Sequence, residues 1–270
     1  MELFDRIFEY LRSYGIELFA PLSLDSCIIT KKYLLEKVGI EKGTAVICAV
    51  PYFPKDCLEQ KNISAYAAVR DYHIFFEKLF RKMREHFSTL YPEYNFAGFS
   101  DHSPIDERDA ALRSGIGILG ENSLIITERY SSFVFLGEFI TDAEGDFRAS
   151  DIRRCVGCGK CKSACPSKEY CLSAITQKKG ELTKEDVGLM KSFNTAWGCD
   201  ICQRVCPYTE RAIASGSIFS NIDYFKIGVI PELNTEILNA LDGEAFKERA
   251  FSWRGKNTVL RNLSVLEKKP

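Results

Sequence analysis

Eight cysteines between positions 155 and 206 constrain this chain more than any other feature. The first four follow the spacing Cys155-x2-Cys158-x2-Cys161-x3-Cys165-Pro. This spacing is the bacterial ferredoxin run, in which three close cysteines hold one iron–sulfur cubane and the fourth ligates a second cluster. The chain is therefore predicted to fold around two [4Fe-4S] clusters that pass single electrons.

The second half of the cysteine motif lacks one ligand. It reads Cys199-x2-Cys202-x3-Cys206-Pro, and Ala196 stands where a full copy of the run needs a cysteine. Cys171 lies between the halves and is the nearest spare thiol. A three-iron second cluster is the alternative to using it. The two predicted ligand sets are Cys155, Cys158, Cys161 and Cys206 for one cluster, and Cys165, Cys171, Cys199 and Cys202 for the other.

Zinc is the competing interpretation of paired cysteines, because two CxxC units also form structural zinc sites. The x2-x2-x3 rhythm with a proline after each half favours clusters instead. Cys27, Cys48 and Cys57 lie outside the module, and we expect all three to be packing residues, as small thiols often are. Clustered thiolate ligands need a reducing compartment, so the sequence predicts a cytoplasmic protein.

Composition and charge narrow the classes of protein to which this chain could belong. The 270 residues, 46% of them hydrophobic, suffice for one large core or two modest ones. With 36 basic and 37 acidic residues, no global positive field attracts nucleic acid. No apolar run approaches the roughly 18 residues of a membrane span, and the amphipathic start is unlike a signal peptide. We expect no membrane association.

The residues before the cysteine module alternate between helical and strand patterns. Ser103 and Pro104 fit the cap and first position of one helix, and the last two strands are predicted to form a hairpin. The fold class is therefore α+β, with an α/β domain at 1–150, a ferredoxin-like module at 151–212 and a C-terminal segment at 213–270 packing on the core. Helices are predicted at 3–11, 63–87 and 103–114, and strands at 43–53, 94–99, 122–127 and 131–141.

A few residues before the module are candidates for chemistry. Asp101 follows a predicted strand, and strand ends in α/β folds often face a ligand, although it could also cap a helix. Glu138 stands among apolar neighbours as a cofactor contact or a paired structural carboxylate. Arg70-Asp71-Tyr72-His73 is typical of a solvated helix face. Gly115–Gly120 satisfies G-x-G-x-x-G, but a helix precedes it and a strand follows, so it predicts a tight connection and not a dinucleotide site.

Seven segments, in this order and spacing, resemble the epoxyqueuosine reductase family. Members of that family are cobalamin-dependent iron–sulfur enzymes related to reductive dehalogenases, and they remove the epoxide oxygen from epoxyqueuosine in the tRNA anticodon loop. The segments are NISAYAAVRDYH (62–73), SDHSPIDERDAALRSGIGILGENSLII (100–126), FVFLGEFITD (133–142), the first cysteine run, CLSAITQKKGEL (171–182), GCDICQRVCPY (198–208) and AFKERAFSWRGKNTVLRNL (245–263).

The resemblance implies site residues as well as a reaction. Asp101 would be the proton donor, because Asp101 and Pro104 fill the family's Asp-x-x-Pro position. Burial beside an apolar corrin face would keep its carboxyl protonated near neutral pH. The N-terminal domain would bind cobalamin, and the resemblance supports Cys171 as the eighth cluster ligand. The implied cobalamin contacts are Ser123, Ile125, Leu136 and Glu138, with Ser173 approaching from the cluster side.

The sequence also departs from the family. Gly120-Glu121-Asn122 replaces the family's Gly-Lys-Asn, and the stretch from Cys165 to Cys171 is shortened. The sequence ends at Pro270 without the helical-repeat domain that many members append, so the resemblance is to a short form. These departures leave open a cobalamin and iron–sulfur reductase that acts on another small molecule. A non-enzymatic ferredoxin-type electron carrier, which would bind no corrinoid, is the third interpretation.

The implied partners are tRNA and an external low-potential electron donor. A basic strip is the candidate surface for the RNA, since phosphates are held by Lys and Arg side chains. The same residues would equally form a solvated surface around the clusters. The strip consists of Arg153, Arg154, Lys160, Lys162, Lys178 and Lys179.

Overall fold

The structure is a computed structural model that describes residues 2–167 and 169–267. The chain divides into two compact units. The first unit comprises Met1–Pro51 and Tyr72–Gly157, and the second comprises Tyr52–Asp71 and Cys158–Pro270. The cysteine-rich second unit thus incorporates a segment, residues 52–71, that lies between the two halves of the first unit in sequence.

The helices and strands are as follows. The helices are α1 Glu2–Ser13, α2 Lys32–Glu36, α3 Ala65–Ala68, α4 Tyr72–Leu90, α5 Glu107–Arg113, α6 Lys160–Ala164, α7 Leu172–Thr176, α8 Lys184–Ser192, α9 Ile201–Arg204, α10 Pro207–Ala214, α11 Thr235–Ala240, α12 Gly243–Lys247 and α13 Lys256–Glu267. The strands are β1 Phe19–Ser23, β2 Thr44–Pro51, β3 Phe96–Phe99, β4 Ile118–Leu119, β5 Ile125–Ile126 and β6 Val134–Thr141. The prediction of a mixed helix and strand protein is confirmed. Within the described ranges, none of the helices combines the length and apolarity that crossing a bilayer requires.

The first unit is built on an antiparallel sheet with strand order β1-β2-β6-β3. Every residue of β2 is buried, as the apolar run at 43–53 predicted. Side chains alternate between the two faces of a strand. Along β6, Val134, Leu136 and Ile140 therefore share one face with Glu138, and they pack in the core cluster that also contains Ala110 and Ala111 of α5.

Helix α4 packs against the opposite face of the sheet at unusually short range. A Cβ atom at Gly98 of β3 would collide with the ring of Phe80, and one at Gly137 of β6 would lie 2.6 Å from Phe76. Glycine at these two positions lets the helix backbone approach the strands closely. The sheet of the first unit is thus covered by α4 on one face and α5 on the other.

The helix predicted at 63–87 is interrupted in the structure. The α3 segment ends at Ala68, Val69 is extended (φ −86°, ψ 174°), and α4 starts at Tyr72. The backbone of Arg70 forms an isolated antiparallel bridge with Arg249, far away in sequence. The prediction of one continuous helix was wrong because this long-range pairing overrides the local periodicity.

The hairpin predicted from 122–127 and 131–141 is also wrong. The short β5 pairs with β4, whereas β6 pairs with β2 and β3. Thr127 and Ser131 do form an isolated bridge across the turn. The two runs are therefore joined by a tight loop, but they belong to different sheets.

The turns around α5 differ in one detail from the prediction. Asp106, and not Ser103, caps α5, because its carboxylate accepts hydrogen bonds from the N–H groups of Arg108 and Asp109. The Ser103 hydroxyl is buried and accepts from the Ile105 N–H at 3.1 Å. After α5, Gly115 turns the chain at φ 80° into β4, so the predicted helix-to-strand connection is confirmed.

The described residues of the second unit form short helices around Trp197, which is fully buried. Asn262, also fully buried, donates to the carbonyl oxygens of Thr176 (2.7 Å) and Ala196 (2.8 Å). The Ala196 N–H donates to the Asn62 carbonyl at 2.7 Å. Position 196, where the second cysteine run lacks a ligand, is thus occupied by packed, hydrogen-bonded interior.

A capping box at the start of α8 gives a stability prediction. Thr183 Oγ1 accepts from the Asp186 N–H at 3.1 Å, and the Asp186 carboxylate accepts from the Thr183 N–H at 3.2 Å. Thr183→Ala is expected to lower the free energy of unfolding by about 1 kcal/mol, because one N-terminal N–H loses its acceptor. Urea unfolding followed by circular dichroism measures the loss. Thr183→Ser keeps the hydroxyl and is the matched control, so an equal loss in both variants would contradict the capping role.

Candidate active site

Asp101 lies on the loop that follows β3, in a backbone conformation that side chains seldom adopt. Its φ is +60°, in the left-handed region that non-glycine residues enter only with support from their surroundings. That support is a hydrogen bond from the Asp101 N–H to Glu107 Oε1 at 2.9 Å. The first turn of α5 therefore fixes where the Asp101 side chain points.

The Asp101 carboxylate is held by the start of α4. The Tyr72 hydroxyl donates to Oδ2, and His73 Nε2 lies 2.9 Å from the same oxygen, to which it must donate if the carboxylate is ionised. The Tyr72 ring stacks on Phe135 of β6 with centroids 4.1 Å apart. The prediction that residues 70–73 form only a solvated helix face is wrong for Tyr72 and His73, which are contacts of the candidate acid.

These contacts also set the charge of Asp101. Burial raises its pKa, but the hydrogen bonds from His73 and Tyr72, together with the charges of His73 and Lys31, outweigh burial and hold the pKa below its ordinary value. Hydrogen bonds to the charged form of a carboxyl stabilise that form. The expectation that Asp101 is kept protonated is therefore not met in this structure.

Removal of the tyrosine hydroxyl gives a direct test of this balance. Tyr72→Phe keeps the ring on Phe135 but deletes one donor to the carboxylate, so the pKa of Asp101 is expected to rise. Carboxyl 13C NMR of aspartate-labelled protein, titrated with pH, measures it. Tyr33→Phe, whose hydroxyl contacts His102 and not Asp101, is the control. An unchanged Asp101 titration in Tyr72→Phe would show that this hydrogen bond contributes little.

Asp101 borders a cavity of about 460 Å³ in the first unit. One wall is apolar and is made of residues from β5, β6 and the turn before β5, while the opposite side carries charged groups. Two of the predicted cobalamin contacts, Ile125 and Leu136, lie on the apolar wall. The apolar wall also includes Leu124, Val134 and Phe135, and the charged lining residues include Lys31, Glu107 and Arg108.

The other predicted cofactor contacts are placed differently. Ser123 adopts a left-handed conformation (φ 65°), and its carbonyl accepts from Arg108 at 3.3 Å. Glu138 is fully buried within the sheet, on the face of β6 that packs against α5. Ser173 belongs to the second unit, where its hydroxyl accepts from Gln177 at 3.0 Å. The apolar part of this lining fits one face of a corrin ring, and the acids Asp101, Asp106 and Glu107 line the same cavity.

The cysteines fit cluster ligation. All eleven are free thiols. In the second unit, burial raises the pKa of Cys199 to about 12, and the neighbouring Cys171 and Cys202 raise it further. The Cys171 thiol is thus close enough to Cys199 to contribute to its raised pKa, which supports a place for both in one ligand set. Iron would bind these thiols as thiolates and so offset their crowding.

Cys48 and Cys57 are buried, as expected for packing residues, and Cys27 is half-buried with its thiol 3.5 Å from the Ser23 carbonyl oxygen. Among residues 2–167 and 169–267, no group of three or more His, Cys, Asp or Glu side chains is arranged to hold a single metal ion.

Sequence reasoning missed Tyr72, His73 and Glu107 as contacts of Asp101. Tyr72 and His73 begin α4, just after the interruption between α3 and α4, and local periodicity does not reveal that interruption. Glu107 carries a weak signal, since it follows Asp101 by six residues across a turn containing proline. Their convergence depends on α4 and α5 lying on opposite faces of one sheet.

A ferredoxin-type cysteine run, free thiols and a positioned acid beside an apolar cavity are typical of an iron–sulfur oxidoreductase. No family model matches the chain. A curated epoxyqueuosine reductase of Listeria monocytogenes is 32% identical over 95% of this chain and 71% of the relative, and that of Lactococcus garvieae is 28% identical over 95% and 78%. The chain belongs to the epoxyqueuosine reductase family, and it is an oxidoreductase.

Solved structures agree in fold. Epoxyqueuosine reductase from Streptococcus thermophilus superposes with a TM-score of 0.80 at 25% identity, over 98% of this chain and 81% of that one. An epoxyqueuosine reductase solved with an epoxyqueuosine-modified tRNA-Tyr stem-loop gives a TM-score of 0.77 at 24% identity, over 98% and 80%.

Proposed function

We propose that this protein reduces epoxyqueuosine to queuosine in tRNA, with Asp101 as the proton donor. Membership of the epoxyqueuosine reductase family supports the reaction. The observation that carries the assignment of the acid is its setting: Asp101 is held by Tyr72, His73 and Glu107 at the edge of an apolar cavity.

The cofactors would be two [4Fe-4S] clusters and cobalamin, with the corrinoid in the N-terminal domain and the clusters in a ferredoxin-like module. Ile125 and Leu136 would contact the corrinoid through the apolar wall, with Ser123 and Ser173 as further contacts. When bound, the clusters supply single electrons from an external low-potential donor, and the corrinoid supplies a strongly reducing cobalt. The eight cysteines of the two predicted sets would hold the clusters.

The chain's own chemistry is proton delivery. Reduction of the epoxide to the alkene consumes two electrons and two protons and releases the oxygen as water. As an ionised carboxylate, Asp101 has to take up a proton before it can protonate the departing oxygen. A substrate that covers the cavity would exclude water, and the resulting desolvation raises the pKa of Asp101 towards that of a working acid.

A second cavity of the first unit favours an RNA substrate over a small molecule. It measures about 440 Å³ and shares His73 with the Asp101 site. Arg81, Arg84 and His102 lie around it, together with aromatic rings from α4 and β3. Arginines bind phosphates and aromatic rings stack on bases, so this cavity suits a nucleotide next to the modified one.

The predicted basic strip contributes less to RNA binding. Lys178 forms a hydrogen-bonded ion pair with Asp186 at 2.8 Å, and Lys160 lies 3.5 Å from Glu210. Positive charges that already have carboxylate partners gain less from a phosphate. We infer a cytoplasmic location, because thiolate-held clusters need a reducing compartment.

The test is an anaerobic reconstitution with iron, sulfide and cobalamin, followed by mass spectrometry of nucleosides from tRNA that contains epoxyqueuosine. Conversion to queuosine supports the proposal. Bound corrinoid without conversion would indicate another substrate, and a protein that takes up clusters but no corrinoid would be an electron carrier. Binding of tRNA that weakens steeply with salt would identify the phosphate contacts.

A further inference from the structure

The centre of the first unit's sheet contains a carboxyl group with no evident counterion. Glu138 lies in the middle of β6, paired with Ile47 on one side and Phe99 on the other, and its side chain is fully buried. Among the described residues, neither of its carboxylate oxygens has a hydrogen-bond partner of normal geometry. A bare charge in such surroundings is costly, so Glu138 has to hold a proton.

A second carboxyl faces it. Burial raises the pKa of Glu138, the charge of Glu107, on α5, raises it further, and the Ser103 side chain lowers it. Burial raises the pKa of Glu107, and the charge of Lys31 lowers it. Burial keeps the thiol of Cys27 neutral by raising its pKa to about 12, and raises the pKa of Cys48 still more. The titratable or charged groups around the pair are Asp101, Lys31, Cys27 and Cys48.

We propose that Glu107 and Glu138 share one proton, carried on Glu138, and that this acid pair holds Asp101 in its reactive position. The link is the hydrogen bond from the Asp101 N–H to Glu107 Oε1, 2.9 Å long. Because Asp101 has a φ of +60°, its loop depends on that acceptor. Glu107 and Glu138 are therefore positioning residues, and they act on the reaction through Asp101.

Two carboxyls in contact cannot both be ionised without strong repulsion. Burial raises the pKa of Glu138 well above its ordinary value, and the charge of Glu107 raises it further. Because the folded protein holds this proton where the unfolded chain has lost it, stability falls as pH rises from the ordinary glutamate range through the raised pKa. Loss of the proton would push Glu107 away from Glu138 and loosen the Asp101 loop.

Infrared spectroscopy of the full-length protein, without substrate, tests the shared proton. Exposed glutamates are ionised at neutral pH, so a protonated-carboxyl C=O band there reports a buried acid. The band is expected in the wild type, to be lost in Glu138→Gln, and to persist in the exposed control Glu41→Gln. In Glu107→Gln it should titrate at lower pH, because the neighbouring charge is gone. Absence of the band in the wild type, or its persistence in Glu138→Gln, would overturn the proposal.

The positioning role has its own readout. The positioning role rests on the proposed function, because it takes Asp101 as the reacting acid. The infrared result does not depend on the proposed function. Turnover of every variant should decline on the alkaline side as Asp101 loses its proton. The wild type and Glu41→Gln should show an additional decline from ionisation of Glu138, whereas Glu138→Gln, which cannot ionise and can still donate to Glu107, should lack that additional decline. The same additional decline in Glu138→Gln would refute the positioning role. Absence of any wild-type turnover on modified tRNA would count against the proposed function and leave the infrared result standing.

Discussion

Asp101→Asn is expected to lower turnover of epoxyqueuosine in tRNA by roughly 10²–10⁴-fold, the range associated with one general acid. The amide cannot deliver a proton to the departing oxygen. It retains the backbone N–H that Glu107 accepts, so the loop should stay in place. The measurement is single-turnover conversion by reconstituted enzyme, with the iron–sulfur and corrinoid absorption of each preparation recorded.

The control for this substitution is Asp5→Asn, an exposed aspartate on α1, which should convert substrate at the wild-type rate. If Asp101→Asn binds both cofactors and turns over within a few-fold of the wild type, Asp101 is not the proton donor. His73, whose Nε2 lies 2.9 Å from Oδ2 of Asp101, would then be the first alternative to test.

Replacement of Cys171 by alanine is expected to have the second large effect, removal of one cluster. Its thiol contributes to the raised pKa of Cys199, and Ala196 is packed where the ferredoxin run would otherwise supply a ligand. Without its fourth predicted ligand, the second cubane should fail to assemble and the iron content should fall by about half. Turnover should stop, since a two-cluster relay is broken.

Iron and sulfide analysis with electron paramagnetic resonance measures this outcome. Cys27→Ser is the matched control, because Cys27 lies in the first unit with its thiol near the Ser23 carbonyl oxygen, and its iron content should be unchanged. Full iron content in Cys171→Ala would remove Cys171 from the ligand set. Loss of a single iron instead of a whole cluster would show that Cys171 is a ligand whose removal leaves a three-iron cluster.

The hydrophobic periodicity of the sequence correctly predicted several individual helices and strands. The apolar run at 43–53 became the fully buried β2, and the residues up to Gly15 formed α1. The mixed fold class followed from such helical and strand patterns, and the family followed from other segments, among them 100–126 and 198–208. The cysteine assignment remains a prediction, which the free thiols and the proximity of Cys171 to Cys199 support.

Long-range pairing explains what local patterns did not predict. The break before α4 depends on the bridge between Arg70 and Arg249, and the strand that looked like the partner of β5 pairs with β2 and β3 instead. Tyr72 and His73 meet Asp101 only because the sheet brings the start of α4 to the end of β3. Helical periodicity carries no information about such partners.

The path of the chain between its two units affects how the protein can be made and dissected. During synthesis, residues 52–71 emerge long before their partners: the Ser64 N–H bonds to the Trp197 carbonyl at 2.9 Å, and the Asn62 side chain bonds to Leu233. This segment must therefore wait until most of the chain has been synthesised before it can pack against those partners. A fragment cut at residue 150 would retain 52–71 without those partners, so expression of the two units as separate pieces would need that segment to be transplanted as well.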